Sequence, residues 1–204
     1  MKKELSYFQI EGYHGGDQNW FGDWMMKIGG CAAVTTCDLC IYMSKRNDNI
    51  NLYPYDINLL SKKDYINFSK IMKPYLKPRV GGINTLKLYM DGFEKYMNDN
   101  KEDSLSLIPF SGENSLESAI KIIKEQMEKD IPIPYLLLKH KNRSLHNISW
   151  HWFLVVGYEE VKDKFFVKIA TYGDFMWLDF NELYHTGYDE KGGMIIIEEK
   201  YKEK

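Results

Sequence analysis

Ser149-Trp150-His151-Trp152-Phe153-Leu154-Val155-Val156-Gly157-Tyr158 is the stretch on which the reading of the fold turns. A histidine opens a run of aromatic and β-branched residues, and the run closes on Gly-Tyr, which predicts a buried strand over 151–158. Moving outward, 133–138, 165–170 and 194–198 are further short β-prone runs separated by turn residues and charge. Toward the N-terminus the pattern changes. The small and apolar run from Cys31 to Met43 is too long for a typical strand and reads as a buried helix over 31–43. Residues 61–73 follow as a helix stopped by Pro74, then 84–97 capped by Asn84. Residues 115–129 carry Ser115 as N-cap and Leu116, Ala119, Ile120, Ile123 and Met127 on one face. The first 30 residues are polar, aromatic and glycine-marked, and little regular structure is expected there. Helices first and strands later, without βα alternation, predict an α+β fold with an antiparallel sheet. We read one domain over 1–204, with a helical lobe over about 1–130 and a sheet lobe over about 131–204.

Composition narrows the function classes. The chain has 204 residues, long enough to bury roughly 70% of its unfolded surface without disulfide or metal staples. Lys plus Arg number 27 against 29 Asp plus Glu, mixed along the chain, so no basic footprint for nucleic acid is present. The longest apolar runs fall far short of the roughly 20 residues of a membrane span. Glu4, Ser6, Gln9 and Glu11 interrupt any signal-peptide core near the start, which gives a cytoplasmic expectation. Three cysteines within ten residues suit reduced thiols better than a disulfide framework.

Cys31 follows Gly29-Gly30 and opens the first long helix. Free N–H groups and the positive end of the helix dipole at that position are expected to lower a thiol pKa and favour the nucleophilic thiolate. The two glycines would let a substrate carbonyl approach without a Cβ in the way. The plainer reading makes Cys31 one more small apolar residue beside Cys37 and Cys40. His151, at the head of a strand, has the rigid mount that a general base needs.

His151 through Gly157-Tyr158, with Gly29-Gly30-Cys31-Ala32-Ala33-Val34 about 120 residues earlier, resembles the papain-like cysteine peptidases. Within them the chain is most similar to the bacterial branch that clips double-glycine leaders from bacteriocin precursors. The likeness spans most of the chain, including the helix after Ser115 that leads into Ile131-Pro132-Ile133-Pro134-Tyr135-Leu136-Leu137-Leu138. It implies a papain-like fold, with Cys31 as nucleophile, His151 as base, and Gln18 with the Cys31 N–H as oxyanion donors. It also implies a thiol-dependent hydrolase, a peptidase or an amidase or acyltransferase, acting on a peptide or small amide without a cofactor. A catalytically silent papain-like domain that binds a peptide or glycine-rich tail is the alternative. Two positions depart from the pattern. In the stretch Ile169-Ala170-Thr171-Tyr172-Gly173-Asp174, Ala170 takes the slot of the family's third catalytic residue. Asp174 is then the nearest carboxylate able to orient His151, ahead of Asp179. Gln18 lies thirteen residues before Cys31, farther than the family's glutamine lies from its nucleophile, so an insertion containing Phe21 to Lys27 is required.

Other signals have structural explanations. Cys37-Asp38-Leu39-Cys40 is a CxxC in mid-helix, whereas redox pairs place the first cysteine at a helix start. A closed zinc site needs four ligands, and no second cysteine pair supplies them. His14, His140, His146 and His185 stand in polar contexts and are expected to be solvated, with His14 the nearest to a cleft. Trp20, Trp24, Trp150 and Trp152 are candidates for a substrate groove, with core packing expected for at least two of them.

Overall fold

The first 30 residues hold more regular structure than their glycines suggest. A computed structural model of the chain describes residues 1–200. Strand β1 (Lys2–Glu4) is followed by the short hairpin β2 (Gln9–Ile10) and β3 (Tyr13–His14), a 3-10 helix at Gln18–Trp20, and α1 (Trp24–Gly29). Asp17 and Asp23 start the last two by accepting from Asn19 N and Met26 N, the side-chain capping that free helix-start N–H groups call for.

Helix α2 (Cys31–Arg46) is buried at every residue from Cys31 to Ser44. A helix apolar all round belongs at the centre of a fold, and α2 packs there against the sheet and against α3 (Lys62–Met72). Next comes α4 (Leu86–Asp99), where Thr85, not Asn84, is the cap, its hydroxyl accepting from Leu88 N. Strand β4 (Leu105–Ser111) precedes α5 (Leu116–Glu128), which Ser115 caps as expected. Then follow β5 (Ile133–Leu137), a 3-10 helix at Arg143–Ile148, β6 (His151–Val161), β7 (Lys164–Thr171), β8 (Asp174–Asp179), α6 (Phe180–Tyr184) and β9 (Gly193–Glu199).

The fold is α+β, with an antiparallel sheet in the order β4-β9-β5-β6-β7-β8. Strand β1 pairs with β6 beyond the end of β5, setting Glu4 opposite Gly157. A Cβ at Gly157 would lie 2.9 Å from the Lys3 carbonyl oxygen, so the glycine of the His-to-Gly-Tyr stretch makes room for β1. The sheet therefore draws β1 and β4 from the first 130 residues, and the two lobes interleave along the chain. Strand β4 escapes a sequence reading because Pro109 interrupts its pattern. It forms an edge of the sheet, where a missing N–H is tolerated. Strand β8, the other edge, is half exposed and carries no strong alternation. Among the described residues no helix is long and apolar enough to cross a membrane.

Candidate active site

Chain geometry at Gly30 puts Cys31 at a helix start. A Cβ on Gly30 would sit 2.2 Å from the Met26 carbonyl oxygen, so only glycine allows α1 to end and α2 to begin there. Gly30 is also a cap without a side chain, and its carbonyl accepts from Val34 N at 2.9 Å. The first-turn N–H groups of α2 thus have no side-chain acceptor at the cap. The Cys31 sulfur is buried and meets the backbone N–H groups of Trp152, Ala32 and Cys31 itself. Trp152 directly follows His151, so the nucleophile candidate lies at the head of β6.

Burial dominates the thiol. Desolvation pushes Cys31 above the ordinary cysteine range, and the three N–H groups only partly offset it. The expectation of a thiolate prepared by the helix start is corrected accordingly: in a dry site the cost of charging sulfur exceeds what those N–H groups return.

His151 is buried and paired with Leu137 across β5 and β6. The chain enters β6 through Trp150, whose φ of 54° is left-handed and whose N–H is held by the Leu138 carbonyl at 3.0 Å. Left-handed backbone on a bulky residue is costly and concentrates at functional sites. The His151 Nε2 lies 2.7 Å from Thr171 Oγ1, and Nδ1 lies 3.4 Å from the Tyr172 hydroxyl. The Tyr172 ring stacks on the imidazole, with centroids 4.6 Å apart and planes 12° apart. Desolvation lowers His151 to about 4, so the ring is neutral near neutral pH. In the tautomer whose Nε2–H donates to Thr171 Oγ1, the unprotonated nitrogen is Nδ1.

Ala170 does not face this ring. It pairs with Leu154, and alternation along β6 puts Leu154 and His151 on opposite faces of the sheet. Thr171, one residue on, is in phase with His151 and supplies the partner. The side chain of Asp174 is 84% exposed, accepts from Phe175 N at 2.7 Å and lies 4.0 Å from His14 Nδ1. Its carboxylate is therefore engaged by Phe175 N and solvent, and the hydrogen bonds of the His151 ring go to Thr171 and Tyr172 instead. Asp179 caps α6 and meets Lys164 at 3.2 Å.

Gln18 reaches the segment before Cys31, but its Nε2 donates to the Lys27 carbonyl at 3.1 Å and its Oε1 is buried without a partner. The Gln18 amide is thus committed to α1.

Three residues of the site were missed in the sequence. Thr171 and Tyr172 were hidden by a one-residue error of phase. Tyr172 and Gly173 both have positive φ and form the two-residue turn of the β7–β8 hairpin. The Tyr172 hydroxyl also lies 3.3 Å from the Asn147 carbonyl oxygen and is pushed up by burial, then by Cys31 and Asp17. The third is Asp38, two turns along α2 from Cys31 and fully enclosed. It accepts from Tyr65 OH at 2.8 Å, Tyr7 OH at 3.0 Å and Gly16 N at 3.0 Å. Desolvation raises it to about 7, against those hydrogen bonds. This carboxylate fixes the loop that leads into Gln18. A charge amid an apolar run was the available signal.

The remaining candidates separate by burial. Cys37 and Cys40 are free thiols in the core. Trp152 is core, stacked on Tyr89 at 4.2 Å, and Trp20 is half-buried against Tyr65. Trp24 and Trp150 are exposed and line one cavity. His140, expected in solvent, is buried, with Nε2 3.0 Å from the Glu182 carbonyl oxygen and Nδ1 accepting from Asn142 N. The sequence matches no protein-family model and no curated protein.

Proposed function

We propose that the chain is a papain-like thiol enzyme that forms an acyl-Cys31 intermediate from an amide or ester. The observation that carries this reading is the convergence at the head of β6. The Cys31 sulfur meets the Trp152 N–H, and the residue before Trp152 is His151, with its Nε2 2.7 Å from Thr171 Oγ1. Tyr172, stacked on the His151 ring, is pushed up by burial and in part by Cys31. Both groups are neutral at rest, so the thiol proton passes to His151 Nδ1 as sulfur attacks the carbonyl carbon. The Cys31 N–H stabilises the oxyanion. Collapse breaks the bond to the leaving group, which takes the proton from His151 and leaves a thioester on sulfur. Water or an acceptor amine then releases the acyl group, with His151 again handling the proton. Thr171 replaces an amide or carboxylate as orienter, a weaker one because its hydroxyl is uncharged.

The test is mass analysis of the chain after exposure to p-nitrophenyl acetate. One acetyl group on Cys31, absent in Cys31→Ala and strongly slowed in His151→Gln, supports the reading. A specific observation favours the silent binding domain: the Gln18 donor is engaged by Lys27 rather than free. Failure of Cys31 to be acylated between pH 6 and 9, in a folded chain, decides for that alternative.

A further inference from the structure

Helix α1 leaves most of its apolar side chains in solvent. Of its six residues only Met26 is buried, while Trp24 is 69% and Ile28 63% exposed. An amphipathic surface helix turns its apolar side chains inward, and contiguous exposed apolar side chains on a protein surface mark a binding face. Here they line one cavity of about 420 Å³ together with Val80, which is fully exposed on the loop after α3, and Trp150. That volume falls within the range of small-molecule sites. The cavity adjoins the candidate active site along the chain on both sides: its wall includes Gly29, two residues before Cys31, and Trp150, which precedes His151.

Its lining selects among occupants. Arg79 is the single charged side chain, and the two indoles are the other side-chain hydrogen-bond donors. A peptide segment brings an N–H and a C=O at each residue, for which the apolar side chains of Trp24, Met25, Ile28, Pro78 and Val80 offer little. An alkyl chain brings none.

We propose that this cavity holds the alkyl chain of a medium- or long-chain acyl substrate whose carbonyl is presented to Cys31. The inference rests on the acyl-Cys31 reading and names its substrate class. In the step concerned the Cys31 sulfur bonds to the carbonyl carbon, the bond from that carbon to the leaving oxygen or nitrogen breaks, and the thiol proton reaches the leaving group through His151.

The experiment uses p-nitrophenyl esters from acetyl to dodecanoyl on the intact chain, following p-nitrophenolate release and the acyl mass on Cys31. The second-order acylation rate is expected to rise on the order of ten-fold or more from acetyl to octanoyl, the direction set by methylene burial. Ile28→Glu and Val80→Glu alter exposed side chains and are expected to bring the octanoyl-to-acetyl ratio toward one. A second arm is independent of the chemistry: Cys31→Ala titrated with monomeric dodecanoate should show a change in tryptophan fluorescence that Ile28→Glu abolishes. Acylation of Cys31 without chain-length dependence, together with no dodecanoate response, overturns the alkyl site and leaves the thiol reading standing. A dodecanoate response with no acylation by any ester supports the alkyl site and sinks the thiol reading. Ile28-dependent binding to phosphatidylglycerol vesicles without a response to monomeric dodecanoate overturns the proposal in favour of a membrane-facing patch.

Discussion

Thr171 holds the His151 ring, and the proposed proton transfer depends on that hold. Its hydroxyl holds Nε2 at 2.7 Å in a buried site, so Thr171→Val leaves a ring nitrogen without its partner. A loss of about 1–3 kcal/mol is expected in denaturant unfolding. The same change should slow iodoacetamide labelling of Cys31 on the order of ten-fold, because an unheld imidazole samples rotamers and tautomers that cannot take the thiol proton. Thr171→Ser keeps the hydroxyl and should restore most of that rate. Ala170 supplies the contrast. Its side chain is buried on the opposite face, so Ala170→Asn introduces an amide into the core and should lower stability without speeding labelling. Faster labelling of Ala170→Asn would return the third catalytic slot to Ala170.

Between elements, the sharpest constraint is the break from α1 to α2. Gly30→Ala drives a methyl group into the Met26 carbonyl, and backbone on one side and a buried helix on the other leave little room to shift. Destabilisation of about 1–3 kcal/mol is expected, the usual cost of overpacking. The Cys31 labelling rate should change with it, since the break sets the position of sulfur. Unchanged stability and labelling in Gly30→Ala would mean that the break relaxes freely. Gly29 is different: a Cβ there would make ordinary contact with Pro78 at 3.4 Å, so Gly29→Ala should be far milder.

Across the whole molecule, two buried titrating groups give stability opposing dependences on pH. Asp38 titrates at about 7 in the fold and near 3.9 in an unfolded chain. The fold therefore binds the extra proton between these values. Its stabilising contribution is fully present below about pH 4 and is lost as pH rises through about 7. His151 titrates at about 4 in the fold and near 6.5 when unfolded. Its contribution is present above about 6.5 and is lost as pH falls through about 4. Between about pH 4 and 6.5 the two slopes oppose each other. Unfolding free energies of Asp38→Asn should consequently rise with pH across this window, and those of His151→Gln should fall, each by a few kcal/mol. If Asp38→Asn keeps the parent's pH profile, the carboxylate does not titrate in this range. Because Asp38 holds Gly16 N, the labelling rate of Cys31 should also report any release of the Gln18 loop.

The sequence alone determined the elements whose pattern is local. The helix from Cys31, helix α3, the cap Ser115, and strands β5, β6, β7 and β9 follow from apolar spacing and turn chemistry that nearby residues settle among themselves. The positions of Cys31 and His151 were legible for the same reason: each stands at the first residue of a strongly patterned element. Edge strands β4 and β8 were not, because one carries a proline and the other little alternation, and pairing with a neighbour makes them strands. The partner of His151 belonged to tertiary structure in a stricter sense. Side chains alternate at each residue of a strand, so choosing Thr171 over Ala170 required the register between β6 and β7. Desolvation of Cys31 and Asp38 was equally out of reach. Burial is a sum over neighbours distant in the chain, and that sum, not the helix start, governs the thiol.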